Sequence, residues 1–497
     1  MTEQPESRSN YQRGLELAEA GKHEEALECL REHLLHHPKD GQALNDAGAL
    51  LYSLGRFDEA VEHLRLALGQ LGGDPPETLW NLAEVYLAAG RPDDVVGLFD
   101  RLGAAELLNP DLINRTATAF IETGRAGKGM EALLRSMRMA PEQEKVLEPI
   151  IQNVRRTRAK VALFYPPPLA MYADSLRRFL QPRHPVRVFH GTQDEDVAQR
   201  LAWCDIAWFE SCTEQAAKVS CLPKRKRVVV RLHQHDLFSP LLCDTDWGRI
   251  DAVVLNMNEA GRAALLQRVP QIGEKTRLID CPRGVDLEEA EFVDRGPGNQ
   301  LACVCDLSLL AGPALMLQCM KALCEADEQY MLHVAGAIRD DALEAYLHTM
   351  TDELGLSGRI TVHGYQEDLG AFLADKSYLV STTLFDGFPQ AVLEGMARGL
   401  KPVVHAFPGS RGMLPDECLF RTPEEFRRIV ADGRYEPKAY RAFVEQRFPL
   451  RRSHERINEL LMELESGASE ASPAGRYDGN GETAGVTGGR GEEGADD

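Results

Sequence analysis

Four glycines, Gly21, Gly55, Gly90 and Gly124, recur at intervals of 34, 35 and 34 residues, and that period fixes what the first third of the chain can become. Each stands between two stretches whose apolar residues have helical spacing. Ala20-Gly21-Lys22-His23-Glu24-Glu25-Ala26 corresponds to Leu54-Gly55-Arg56-Phe57-Asp58-Glu59-Ala60. A unit of this length is a helical pair that buries its apolar face only by stacking on its neighbours, and four units are enough to stack. The first two units are close to each other. The third and fourth, with Val95 and Gly129 in the place of Ala26, are looser. An all-α solenoid is expected over residues 1–155. Its concave groove suits peptides or partner proteins, while a spacer or a dimerisation surface is the alternative.

From Lys160 onward, short apolar runs alternate with helical patterns. Lys160–Tyr165, Val186–His190, Asp205–Phe209, Val228–Leu232 and Ala252–Leu255 read as strands of one parallel sheet, with Thr276–Cys281 leading out of it. Leu301–Cys305, Met331–Ala335, Ile360–His363, Tyr378–Thr382 and Pro402–Ala406 read as a second set. The fold class expected is α/β, two Rossmann-like domains over 156–297 and 298–465. Residues 466–497 are rich in Gly, Ser and acids with almost no large apolar residues, and are expected to be a disordered tail.

The stretch Phe385-Asp386-Gly387-Phe388-Pro389 and its continuation to Val404 carries the chemistry. Gly387 can take backbone angles closed to other residues and admits a ligand to the main chain, and Pro389 suits the first turn of a helix. Val392, Leu393, Met396 and Ala397 then fall on one helical face, and Gly399 with Pro402 supplies the stop. A helix starting at the carboxyl end of a strand offers unpaired N–H groups to phosphate. Glu394, just inside that helix, can accept two hydroxyls of a ribose, and Asp386 in the turn can meet a second polyol.

This segment resembles the signature of GT-B fold glycosyltransferases of the group 1 type, retaining enzymes that use a nucleotide sugar, with Asp386 and Glu394 at the two acid positions. The repeats match the tetratricopeptide period. The resemblance implies two Rossmann-like domains in the GT-B arrangement behind a tetratricopeptide solenoid. It further implies that Glu394 holds the ribose of the donor, and that Asp386 with Gly387, Phe388 and Pro389 holds the transferred sugar. His363-Gly364-Tyr365 is similar to the loop near the nucleobase, so Gly364 and Tyr365 join the donor site. Pro282-Arg283-Gly284-Val285-Asp286 with Phe292 is similar to the domain junction, and Phe443–Phe448 looks like the start of the helix that crosses back between domains. Family members often place a histidine after the strand now read as Val228–Leu232; His233 is the choice by register, and His235 the second.

The chain also departs from that family. Asp306 stands where an arginine is expected and Ala311, before Gly312, where a lysine is expected, so the basic clamp on the donor diphosphate is missing. Each lost charge-assisted bond is worth about 1.5 to 3 kcal/mol. The helix start at Pro389, Arg339 and Arg411 are the candidates for compensation. Pro166-Pro167-Pro168 replaces the glycine-rich loop that many relatives carry after the first strand.

A formal charge of -21 argues against nucleic acid or an anionic membrane as the main partner. A peripheral membrane contact through Pro223-Lys224-Arg225-Lys226-Arg227 stays open, although Val228-Val229-Val230 behind it suits a run that caps a strand edge. Met1–Asn10 is polar and no apolar run approaches a membrane span, so a cytoplasmic protein without signal peptide or transmembrane segment is expected. The 11 cysteines lack paired zinc spacing and read as reduced core residues. Asp244-Thr245-Asp246 does not follow an apolar strand, and neither metal nor cofactor is expected. The expected partners are a nucleotide diphosphate sugar as donor and a protein or glycan acceptor brought by the repeats. The alternative is a GT-B domain that has lost donor chemistry within a protein-binding scaffold.

Overall fold

The computed structural model describes residues 5–166, 169–190, 194–338 and 340–467. Pro167, Pro168 and Arg339, which the sequence singles out, and the tail from Ala468 onward lie outside the described residues.

Eight helices form the solenoid: α1 (Pro5–Glu19), α2 (His23–His36), α3 (Gly41–Ser53), α4 (Phe57–Leu71), α5 (Pro76–Ala88), α6 (Pro92–Ala104), α7 (Pro110–Glu122) and α8 (Ala126–Met139). The four periodic glycines close the first helix of each pair with φ between 67° and 76°, the left-handed region where a Cβ is strained. Leu30, Leu51, Leu64, Leu82, Val95 and Ala117 make one continuous core through the stack. The first helices of the pairs touch in succession, α3 with α5 and α5 with α7, and so form the inner wall. A ninth helix, α9 (Glu144–Thr157), caps the stack.

Two six-stranded, all-parallel sheets follow. The first contains β1 (Val161–Phe164), β2 (Val186–Phe189), β3 (Ile206–Glu210), β4 (Arg227–His233), β5 (Ala252–Asn256) and β6 (Arg277–Asp280), in the order β2-β1-β3-β4-β5-β6. The second contains β7 (Gln300–Val304), β8 (Met331–Ala335), β9 (Ile360–Val362), β10 (Tyr378–Ser381), β11 (Lys401–His405) and β12 (Leu419–Phe420), in the order β12-β11-β10-β7-β8-β9. The expected strands all form. Thr276–Cys281, expected to lead out of the first sheet, instead pairs with β5 as its sixth strand, Leu255 opposite Asp280. The two-residue β12 carries too short a pattern to be read in advance. Helices cover both faces, so β1, β3 and β5 are buried at every residue.

One expectation needs correction at the domain junction. Phe443–Phe448 is the end of the helix Pro437–Arg447 and its exit, not the start of the helix that crosses back. Pro449 (φ -69°, ψ 131°) breaks the chain there, and the crossing helix is Leu450–Glu465. Ile457, Leu460, Leu461 and Leu464 pack into the core of the first sheet with Leu176, Leu180 and Trp208. The crossing is fixed by a pair of backbone bonds, Val285 N–H to Phe448 O at 2.8 Å and Leu450 N–H to Val285 O at 2.9 Å. Gly284 lies against this seam with φ 82°, and a Cβ there would come within 2.8 Å of Phe448 O.

The crossing helix also meets the solenoid. Glu131 of α8 accepts from Arg183 at 2.7 and 3.0 Å and from Asn458 at 3.0 Å. Arg158, with its side chain fully buried, pairs with Glu465 at 2.7 Å. Gly127 packs so closely on Met462 that a Cβ would stand 2.6 Å from the sulfur.

Lys224 and Arg227 of the basic run both pair with Asp251 at 3.1 Å, and Asp251 accepts from Val228 N–H, so the run does cap a strand edge. The cysteines are only partly core residues. Six are buried, but Cys221, just after the helix Glu214–Ser220, and Cys243, within the helix Leu241–Asp244, are exposed. Asp246 of the Asp244-Thr245-Asp246 run accepts from Gly248 N–H and shapes a turn. No helix among the described residues is long and apolar enough to cross a membrane.

Candidate active site

The carboxyl ends of β4, β5 and β10 converge, and the loops that leave them meet across the gap between the sheets. Asn258 Nδ2 donates to Asp386 O at 2.9 Å and to Pro408 O at 3.2 Å, and Gln234 Nε2 donates to Phe385 O. Two amides of the first domain thus hold backbone carbonyls of the second. Gly409 leaves the room for this, since a Cβ on it would lie 2.5 Å from the Asn258 side chain.

Between these contacts is a cavity of about 220 Å³ lined by Leu169, His233, Gln234, His235, Asn256, Asp386, Phe388 and Gln390. It brings together His233, His235, Asp386 and Phe388 of the residues expected from the sequence. Asp386 Oδ1 accepts from Phe388 N–H at 3.0 Å. Burial nonetheless raises the Asp386 carboxyl to about 6, against the lowering effect of that bond.

His233 is held at both ring nitrogens. Asn256 Oδ1 accepts from Arg283 N–H at 2.9 Å, which turns Asn256 Nδ2 toward His233 Nδ1 at 3.1 Å. His233 Nδ1 must then accept, and the proton sits on Nε2, 3.2 Å from Glu210 Oε1. Burial pushes the Glu210 carboxyl up, but the charge of Arg231 and the bonds from His233 and Trp208 outweigh it. The group is held well below the usual carboxylate range. Asp236 fixes the loop by accepting from His233 N–H at 2.7 Å and Cys212 N–H at 2.9 Å. The His235 ring stacks on His233 at 5.4 Å and reaches Ser211 Oγ at 3.1 Å.

Several expected residues stand elsewhere. The helix after the loop is Gln390–Ala397, with Pro389 immediately before it. Glu394, one turn in, accepts from Gln390 Nε2 at 2.6 Å and does not line the cavity with Asp386. Gly364 and Tyr365 follow β9 at the far edge of the second sheet, with β7 and β8 between them and β10, and Tyr365 is 73% exposed. Gly387 is not in the left-handed region expected of it; its requirement is space, since a Cβ would meet Gln234 Cβ and Met257 Cβ at 3.1 Å. What approaches its main chain is therefore the first domain.

On the phosphate side, Asp306 accepts from Ala337 N–H at 2.9 Å and ties two loops together, while Ala311 is buried. Arg411 is exposed and points to Asp416 at 3.9 Å. Sequence reasoning missed Glu210, Gln234, Asn256, Asn258 and Gln390. The available signal was position, because each stands at a strand end or in the loop or helix that follows.

Two parallel sheets facing across a cleft, closed by a helix that returns from the second domain to the first, make the GT-B fold. Residues 288–418 match the family described as Glycosyl transferases group 1, and residues 11–75 and 76–101 match tetratricopeptide repeat families. The chain therefore carries a group 1 glycosyltransferase domain behind tetratricopeptide repeats. Among solved structures it is similar in fold to Anabaena Alr3699/HepE in complex with UDP and glucose, at 16% identity over 61% of this chain and 99% of that chain, TM-score 0.51. It is similar also to sucrose-phosphate synthase from Thermosynechococcus elongatus, at 16% identity over 62% and 100% of the two chains, TM-score 0.50. No curated protein matches the chain.

Proposed function

We propose that the protein transfers a sugar, with retention of configuration, from a nucleotide diphosphate donor to an acceptor bound by the first domain. The observation that carries this reading is the meeting of Asp386, His233 and Gln234 in one cavity at the carboxyl ends of both sheets, where ligands of such folds bind. In this reading the sugar occupies the cavity, Asp386 accepts its hydroxyls, and His233 forms the wall on the acceptor side. Glu394 holds the ribose. With Asp306 and Ala311 in place of cations, the diphosphate rests at the start of the helix Gln390–Ala397, on N–H groups beyond that of Gln390, which already donates to Phe388 O. Catalysis is then mainly electrostatic support of the leaving phosphate, and the donor is a substrate with no separate cofactor. The Anabaena relative was solved with UDP and glucose, which supports uridine nucleotides as the first donors to test.

The repeats bring the acceptor or a partner. Their first helices carry Tyr52, Trp80 and Asn114, and their last pair is bonded to the catalytic half through Glu131. A cytoplasmic location fits this reading.

The test is a thermal-shift panel of nucleotide diphosphate sugars on the intact chain and on Glu394→Ala. A ligand at a hundred times its dissociation constant adds about 2.7 kcal/mol. The intact chain should respond to at least one nucleotide and the variant should respond less. No response from the intact chain sinks the donor reading and favours a binding scaffold, which is what Asp306 and Ala311 would then signify.

A further inference from the structure

We propose that Cys303 and Cys305 are a reversible oxidation site, two thiols that a peroxide closes to a disulfide in a loop tied to that of Asp386.

The pair stands at the carboxyl end of β7. In a straight strand, residues two apart on the same face are about 6.6 Å from one another. Here β7 ends at Val304 and the chain bends at Cys305, so the two sulfurs meet at 3.5 Å. Cys303 is enclosed in the core of the second sheet, whereas Cys305 keeps part of its surface in solvent. The hydrogen bond from Cys303 holds the Cys305 thiol below its ordinary value, against the effect of burial. The same contact, together with burial, holds the Cys303 thiol well above its own. Cys305 is therefore the sulfur that reacts first and Cys303 the one that resolves it.

The reaction has two steps. The Cys305 thiolate attacks one oxygen of hydrogen peroxide, the O–O bond breaks, and hydroxide leaves a sulfenic acid on Cys305. Cys303 gives its proton to that hydroxide and attacks Cys305 Sγ, so that the S–S bond forms, the S–O bond breaks and a second hydroxide leaves, taking up the proton with which the Cys305 thiol began. Two thiols and one peroxide thus become one disulfide and two waters.

A disulfide needs its sulfurs at about 2.05 Å, roughly 1.5 Å closer than they stand. With Cys303 enclosed, the movement falls on Cys305, and the backbone there has no slack. Cys305 N–H donates to Ala335 O at 3.0 Å, Asp306 accepts from Ala337 N–H at 2.9 Å, and a Cβ on Gly336 would collide with Cys305 O. Further along, Leu310 O accepts from Leu384 N–H at 2.9 Å and Ala311 O from Thr382 Oγ1 at 2.7 Å. Leu384 is two residues before Asp386, so a displaced loop pulls on the segment that carries Asp386.

The experiment treats the full chain with hydrogen peroxide, alkylates the remaining thiols, cleaves before Asp306 and weighs the peptide that carries Cys303 and Cys305. That peptide should be two hydrogens lighter and take no alkyl group, and dithiothreitol should restore both thiols. In Cys303→Ser, Cys305 should instead stop at the sulfenic acid and be labelled by dimedone. Hydrogen exchange at the Leu384 amide should quicken severalfold in the oxidised chain and return on reduction. Alkylation of both Cys303 and Cys305 under conditions that oxidise the exposed Cys221 and Cys243 overturns the site. A disulfide that leaves exchange at Leu384 unchanged overturns its link to the Asp386 loop.

Discussion

Asn258 joins three things at one side chain: its Nδ2 donates to the Asp386 carbonyl at 2.9 Å across the cleft, and its Oδ1 accepts from Gly261 N–H at 2.8 Å as the cap of its own helix. The same Nδ2 also reaches Pro408 O. The position of the loop that carries Asp386 is thus set by a residue whose own conformation is fixed by a helix start.

Serine at 258 keeps a capping oxygen but loses the reach across the cleft. Asn258→Ser should therefore leave the melting temperature nearly unchanged and raise the donor KM, whereas Asn258→Ala should also lose about 1 kcal/mol of stability from the missing cap. Urea unfolding and steady-state kinetics on both variants separate the two effects. Equal KM values for wild type and Asn258→Ser would refute the cross-cleft role.

Glu210 is fully enclosed and receives Arg231, His233 and Trp208. Glu210→Gln leaves the Arg231 charge without its counter-ion, and the expected loss is about 3–5 kcal/mol in urea unfolding. The variant should also free the His233 ring, seen as a change in its tautomer by NMR.

Asp386 gives a pH dependence whose sign follows from its raised carboxyl. The group is about 6 in the folded protein against 3.8 as its ordinary value, so the protonated form is favoured by folding. That stabilisation is complete below 3.8 and is lost as pH rises through 6. Asp386→Asn should accordingly be more stable than wild type at pH 7.5 by on the order of 1–3 kcal/mol, with the advantage vanishing near pH 4. Its donor binding should be weaker at pH 7.5. A stability difference that does not change with pH would exclude burial of the charge as the cause.

Asp306 is exposed and close to where the family carries its basic clamp. Asp306→Lys removes one carboxylate and adds one cation, so binding of a nucleoside diphosphate should tighten about tenfold while binding of the nucleoside stays constant. Calorimetry with UDP and uridine measures this directly.

Much of the fold was legible because its signals are local and repeated. The glycines at Gly21, Gly55, Gly90 and Gly124 mark turns that need a left-handed backbone, and the apolar runs of β1, β3 and β5 mark strands covered on both faces. The site was legible only in part. Asp386 and His233 could be found because each follows a strand in a recognisable setting. Glu210, Asn256, Gln234 and Gln390 take their meaning from partners 21 to 151 residues away, and no spacing along the chain reveals such pairs. Gly387 was read for its backbone freedom, yet its neighbour across the cleft is what demands a glycine.

The helix Leu450–Glu465 packs into the core of the first sheet and is bonded to α8 through Asn458 and Glu131, while it meets the second domain at the seam of Val285 with Pro449 and where Arg452 donates to the carbonyls of Gln446 and Arg447. Whatever the repeats hold is consequently carried in the same frame as His233 and Glu210. On the proposed function, a change in cleft width would alter the distance from the sugar to an acceptor held by the repeats without altering the address of that acceptor on the protein, so the repeats would govern which molecule is modified and the seam when.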